Sequence, residues 1–196
     1  MHGHRHKQRA WFFIAFLMVV LWIFSSALPG ALGMAEEDVE YPAKLAFLYN
    51  FAKFVEWPAA SNRSPNTNIL ICIAGRDPFS PRTESDLRTR IVLGHPIEIR
   101  TMRVTDSFSA CNIVFVPITE QGQAANILRG LRGSSTLTVG EIEGFAARGG
   151  IINLMIEGNR LRFEINPLAA ERAGLKISSK LLSLAKIVMD DQLRPQ

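Results

Sequence analysis

Two short segments are apolar on both of their faces, and that narrows the fold more than any other feature. From Asn68 to Ala74, Ile69, Ile71 and Ile73 alternate with Leu70, Cys72 and Ala74; from Asn112 to Pro117, Ile113, Val114, Phe115 and Val116 repeat the pattern. A strand with no polar face must be covered above and below, which is the condition of strands sandwiched between helices. The run Ile97 to Val104 alternates instead, as an edge or half-exposed strand does. Helices are expected over about Arg82 to Val92 and Glu120 to Arg132, with a further strand at Thr136 to Val139. Strand and helix alternate, so the expected class is α/β: a single-domain, three-layer open sheet of Rossmann-like type. No internal repeat or interdomain linker interrupts it, and Ala59 to Asn68, with its Ser, Asn and Pro residues, reads as a surface loop.

A C-terminal β-hairpin and helices follow. Ile151 to Glu157 and Arg160 to Ile165 flank Gly158-Asn159, a pair that tolerates positive φ in a two-residue turn. That turn sets Ile152 opposite Ile165, Leu154 opposite Phe163 and Ile156 opposite Leu161, an apolar inner face. Asn153, Glu157, Arg160, Arg162 and Glu164 occupy the other face, with Asn166 beyond. Pro167 to Arg172 and Ser178 to Val188 read as closing helices, with Gly174 as a C-cap.

Upstream of the sheet, Lys44 to Trp57 reads as a helix stopped by Trp57-Pro58. Leu45, Leu48, Ala52 and Val55 share one face; Phe47, Phe51 and Phe54 form a second beside it. Such a helix belongs to a core, but its apolar surface exceeds one core contact. Phe47, Phe51, Phe54 and Trp57 are therefore also candidates for an interface, through which two copies could pair symmetrically.

The first 35 residues have the form of a secretory signal. Arg5, Lys7 and Arg9 precede an apolar run from Ala10 to Phe24, and Gly33-Met34-Ala35 supplies small residues at a cleavage site. An uncleaved membrane anchor is the rival, since the run approaches the roughly 20 residues that span a bilayer. His2, His4 and His6 fall in the segment to be removed. Without residues 1–35, domain 36–196 keeps 19 of the 22 basic residues against 18 acidic ones, a net +1. That balance carries no footprint for nucleic acid.

Signatures of catalysis are nearly absent. His95 is the one histidine after the signal segment, too few for a histidine-rich metal site or the usual nucleophile–base pair. No nucleophile elbow, phosphate-binding loop or dinucleotide fingerprint occurs, and Gly140, Gly144, Gly149 and Gly150 read as turn residues. No enzyme activity, cofactor or metal is expected. Cys72 and Cys111 would be two buried thiols in a cytosolic protein and a disulfide in an exported one. Arg162, Glu164, Asn166, Arg172 and Lys176 have a plain reading as a solvated face with weak ion pairs, and a functional one as a site for a carboxylate, an amide or a partner side chain.

Leu48-Tyr-Asn-Phe-Ala-Lys-Phe-Val-Glu-Trp-Pro58 resembles the opening helix of the YfiR-like periplasmic proteins. The resemblance continues through Ile69 to Phe79, Leu137 to Glu141, Gly144-Phe145, Gly149 to Asn153, Arg162 to Asn166 and Leu175 to Leu182. It implies a disulfide at Cys72 and Cys111, and a pocket near Arg162, Glu164, Asn166, Arg172 and Lys176 that accepts a small molecule or a partner's aromatic residue. Some relatives carry a second cysteine pair where this chain has Ala146 and Asn153, so a second-disulfide switch does not carry over. The implied function is an exported periplasmic repressor. It would bind the sensory domain of an inner-membrane signalling enzyme, a diguanylate cyclase or other sensor, and be sequestered by an outer-membrane lipoprotein. A periplasmic small-solute binding protein is the alternative, and a hydrolase or oxidoreductase a more distant one.

Overall fold

The computed structural model describes residues 34–58 and 67–190. Residues 1–33 of the expected signal segment and 59–66 of the expected loop lie outside the described residues. The chain divides into Met1–Val39 and Glu40–Gln196, and the sheet and its two cores belong to the second unit. Helix α1 (Met34–Phe54) leads into strand β1 (Val55–Glu56). There follow β2 (Ile69–Ala74), α2 (Pro81–Arg88), β3 (Ile91–Val92), β4 (His95–Met102) and β5 (Ile113–Val116). A 3-10 segment (Ile118–Gln123) then runs into α3 (Ala124–Gly130), before β6 (Leu137–Gly140), β7 (Ile152–Glu157) and β8 (Arg160–Ile165). The chain closes with α4 (Pro167–Arg172), β9 (Lys176–Ile177), α5 (Ser179–Leu182) and β10 (Lys186–Ile187).

Eight strands form one sheet in the order β10-β8-β7-β6-β5-β2-β4-β3, and β1 pairs with β9 in a separate two-stranded ribbon. The central strands β4, β2, β5, β6 and β7 are parallel. The α/β class is as expected; the Rossmann-like comparison extends no further than these parallel strands.

The two-faced strands explain the layering. Ile69, Ile71, Ile73, Ile113, Phe115, Leu137 and Val139 face a core completed by Leu45, Leu48, Phe51 and Ala52 of α1 and Val55 of β1. Cys72, Ala74, Val114 and Val116 face a second core under Ala124, Ile127 and Leu131 of α3 and its following turn. Each face thus has its own cover, as strands without a polar side require.

The hairpin has the expected register: Ile152 opposes Ile165, Leu154 opposes Phe163, and Ile156 opposes Leu161. Its inner face joins the α1 core, thinning toward the turn, where Ile156 is exposed. After α4 the chain closes in a Schellman motif: Leu175 N–H donates to Ala170 C=O and Gly174 N–H to Glu171 C=O, with Gly174 at φ +69°.

Two expected helices are shorter than their apolar patterns implied. The helix read over Arg82 to Val92 ends at Arg88, because Leu93 and Gly94 adopt φ of +52° and +86° and turn Ile91–Val92 back onto His95–Pro96 as a hairpin. The helix read over Ser178 to Val188 stops at Leu182. Lys186–Ile187 then lies parallel to β8, in register with Glu164–Ile165. The segment's apolar spacing suits either form, and the unpaired backbone of β8 decides: Val188 N–H donates to Ile165 C=O. The helix expected over Glu120 to Arg132 is a 3-10 segment followed by a short α-helix.

Candidate functional site

Of the five hairpin-side residues, Glu164 and Asn166 are buried while Arg162, Arg172 and Lys176 are exposed, and no hydrogen bond or ion pair joins any two of them. Glu164 is only 7 % exposed, against the expectation of a solvated face. Its Oε1 accepts from Lys186 Nζ at 2.9 Å and its Oε2 from Asn153 Nδ2 at 3.4 Å, while Asn153 Oδ1 accepts from Ile142 N–H. Lys186 of the neighbouring strand β10 and Asn153, itself held by the Ile142 amide, enclose the Glu164 carboxylate, which alternation within a hairpin cannot reveal. The hydrogen bond and charge of Glu164 hold the Lys186 pKa above the ordinary lysine value.

Asn166 is fully buried and caps α4: its Oδ1 accepts from Ala169 N–H and its Nδ2 donates to Ala146 C=O. Arg172 donates to Asp190 at 2.5 Å. Glu164 and Arg172 therefore both clasp the C-terminal segment, one through Lys186 and the other through Asp190. Arg162 is exposed opposite Met155, and Lys176 is exposed opposite Glu56 in the β1–β9 ribbon.

On α1, Phe51 is fully buried, its ring edge-to-face with Phe163 at 5.3 Å. It belongs to the core, which corrects its reading as an interface residue. Phe47, Phe54 and Trp57 are half-buried. Phe47 leans on Phe51 and Phe163, and Lys180 Nζ lies 5.6 Å from the Phe54 ring centroid. The end of α1 is tied to the C-terminal region: Val55 pairs with Ile177, and Ser178 N–H donates to Phe54 C=O. These aromatics thus sit beside segments that follow the hairpin.

A buried ion cluster went unseen in the sequence. Lys44, 5 % exposed, pairs with Glu141 and with Glu40 one turn earlier on α1. Glu141, its side chain 3 % exposed, also accepts from Ile118 N–H through Oε1. Burial disfavours the charge on Lys44, but the hydrogen bonds and attraction of Glu141 and Glu40 outweigh it, and its pKa lies above the ordinary value. The available signal was a lysine four residues before Leu48 on the apolar stripe of α1.

Cys72 and Cys111 form a disulfide with Cα atoms 5.9 Å apart, joining β2 to the turn before β5. His95 Nδ1 lies 2.8 Å from the Thr67 carbonyl oxygen. Of the glycines expected to be turn residues, Gly144 and Gly149 have positive φ, whereas Gly140 and Gly150 flank the Phe145 ring so closely that a Cβ on either would overlap it. Among the described residues no helix is long and apolar enough to cross a membrane, and no group of three or more His, Cys, Asp or Glu residues could hold a metal ion.

One concavity of about 740 Å³ opens between α3, its following turn, the start of β6 and α4. Arg172 reaches it, but Arg162, Glu164 and Lys176 do not. Arg129, Arg132 and Arg148, which no sequence motif singles out, also line it. Arg129 and Arg132 are neighbours along the chain, but Arg148 lies well beyond them, and nothing in a local pattern joins the three. Compared with known families, residues 41–186 match the sequence model of one described as YfiR/HmsC-like.

Proposed function

Because the chain belongs to the YfiR/HmsC-like family, we propose that it is an exported periplasmic regulator that represses an inner-membrane signalling enzyme. On the family's pattern that enzyme is a diguanylate cyclase, and the protein acts on cyclic di-GMP through it. The match over residues 41–186 carries this reading, and the Cys72–Cys111 disulfide supports an oxidising compartment. Residues 1–35 are removed as a signal, so that the mature protein starts at Glu36. Repression follows from differential affinity: a binder that prefers the inactive form of a sensory domain raises the population of that form. Phe47, Phe54 and Trp57 supply the contact surface, and an outer-membrane lipoprotein relieves repression by sequestering the protein.

The test has two parts. Deleting the gene should raise cyclic di-GMP and surface attachment. Affinity capture of the tagged protein from intact envelopes should recover a membrane signalling protein, and Phe54→Ser with Trp57→Ser should reduce the recovery. Flat cyclic di-GMP together with capture of no signalling protein would replace the repressor reading with that of a solute-binding protein.

A further inference from the structure

We infer that the cleft between α3 and α4 is a binding site for a small phosphate ester or similar multivalent organic anion. Its wall carries Arg129, Arg132, Arg148 and Arg172 against a single acidic residue, Asp190. Asp190 is engaged by Arg172. Arg129 donates to Asn126 Oδ1 and Arg148 to the Glu143 carbonyl, both neutral acceptors. The Arg132 guanidinium has no hydrogen bond or ion pair among the described residues. Three guanidinium groups around one concavity therefore lack a carboxylate counter-ion among the described residues.

This concentration stands out against the chain's overall balance. Residues 36–196 carry a net +1, whereas the cleft wall carries four cations and one anion. A concave wall of one sign focuses the field and raises the local concentration of oppositely charged solutes. Guanidinium forks match the oxygens of phosphates and carboxylates in bidentate fashion. Three uncompensated charges exceed what one carboxylate neutralises, so a ligand with two or more negative charges is the better match.

Thr138 adds an independent observation. It lines the cleft, is 4 % exposed, and accepts from Ile151 N–H at 2.9 Å, but its own hydroxyl proton has no acceptor among the described residues. A buried donor of this kind is satisfied by an anionic oxygen. The cleft volume lies within the roughly 300–1,000 Å³ of small-molecule pockets and exceeds what inorganic phosphate fills. An organic body attached to the anionic group would rest on the apolar side chains of Leu128 and Ile151.

The same chemistry is offered by a soluble phosphate ester and by a phospholipid headgroup, and both are tested on the mature protein. Calorimetry with glycerol 3-phosphate and with pyrophosphate should show saturable binding that weakens with salt. Arg132→Gln with Arg148→Gln should reduce the affinity at least tenfold without lowering the melting temperature, and Thr138→Val should reduce it severalfold. Arg82→Gln with Arg160→Gln, remote from the cleft, should leave it unchanged. If neither solute binds, co-sedimentation with phosphatidylglycerol vesicles that is lost in Arg132→Gln with Arg148→Gln assigns the site to a lipid headgroup. Binding to neither solutes nor vesicles overturns the inference, as does binding that the remote pair weakens equally. Cyclic di-GMP levels play no part in these measurements, so the site stands or falls apart from the regulatory role.

Discussion

Lys44 on α1 and Glu141 after β6 form a buried ion pair 97 positions apart in the chain. It fixes the helix to the C-terminal end of the central parallel strands, where Glu141 also receives the Ile118 amide. Removing one partner of such a pair leaves a buried charge without compensation, at a cost of about 3–5 kcal/mol. Glu141→Ala leaves Lys44 only its partly exposed partner Glu40, and should lower unfolding free energy by up to that amount in denaturant titrations. Lys44→Met combined with Glu141→Leu should recover most of the loss, since an apolar pair of similar volume needs no counter-charge. Equal damage from the double and single variants would show that the pair contributes packing rather than charge compensation.

The same lysine sets an alkaline limit. Its pKa is raised in the folded state by Glu141 and Glu40, against the opposing effect of burial. A raised lysine pKa stabilises the fold fully below the unfolded value of about 10.4, and the contribution is lost as pH rises through the folded value. Melting temperature should thus be insensitive to this group at neutral pH and fall above about pH 10.4. Lys44→Met should flatten that alkaline fall, which thermal scans across pH 8–11 would detect.

The Cys72–Cys111 disulfide closes a loop with a sequence separation of 39. Chain-entropy reasoning gives such a loop about 4 kcal/mol of stabilisation. Cys72→Ser or Cys111→Ser should lower stability by that order, and thiol titration of wild-type protein under blocking conditions should find no reactive group until it is unfolded and reduced. Two titratable thiols in the native protein would contradict the pairing.

Phe145 is buried between Gly140 and Gly150, where a methyl group would strike its ring and, at Gly150, approach its carbonyl oxygen. Gly150→Ala should cost about 1–3 kcal/mol as an overpacking change. Gly150→Ala combined with Phe145→Leu should recover part of that cost, which chemical denaturation of the two variants would measure.

Glu164→Ala should not be silent, because Glu164 is buried and accepts from the Asn153 side chain. Leaving that buried donor without its acceptor costs about 1–3 kcal/mol. Glu164→Gln, which retains an acceptor, should cost less. Equilibrium unfolding of the two variants distinguishes this structural role from that of an exposed ligand contact.

What the sequence revealed follows from the range of the forces involved. The alternation of Ile69 to Ala74 and the Gly158-Asn159 turn are local, so strand faces and hairpin register could be read directly. Glu164 and Arg172 were noticed as charged residues, but their partners Lys186 and Asp190 lie 22 and 18 positions away on a segment whose pattern resembled a helix. The arginines of the cleft come from α3, its following turn, the loop before β7 and α4, and only the fold brings them together. Phe51 shows the same limit: steps of three and four place it on an apolar face, but Phe163 decides that this face is interior.

Each rim of the eight-stranded sheet ends in a strand of two residues, β3 on one side and β10 on the other. Such stubs present too few unpaired amides and carbonyls to recruit a foreign strand. If Lys186–Ile187 were released, the longer strand β8 would become the rim and expose the backbone now bonded to the tail. The clasps at Lys186 and Asp190 thus guard against edge-to-edge aggregation, a hazard for any sheet protein at high local concentration.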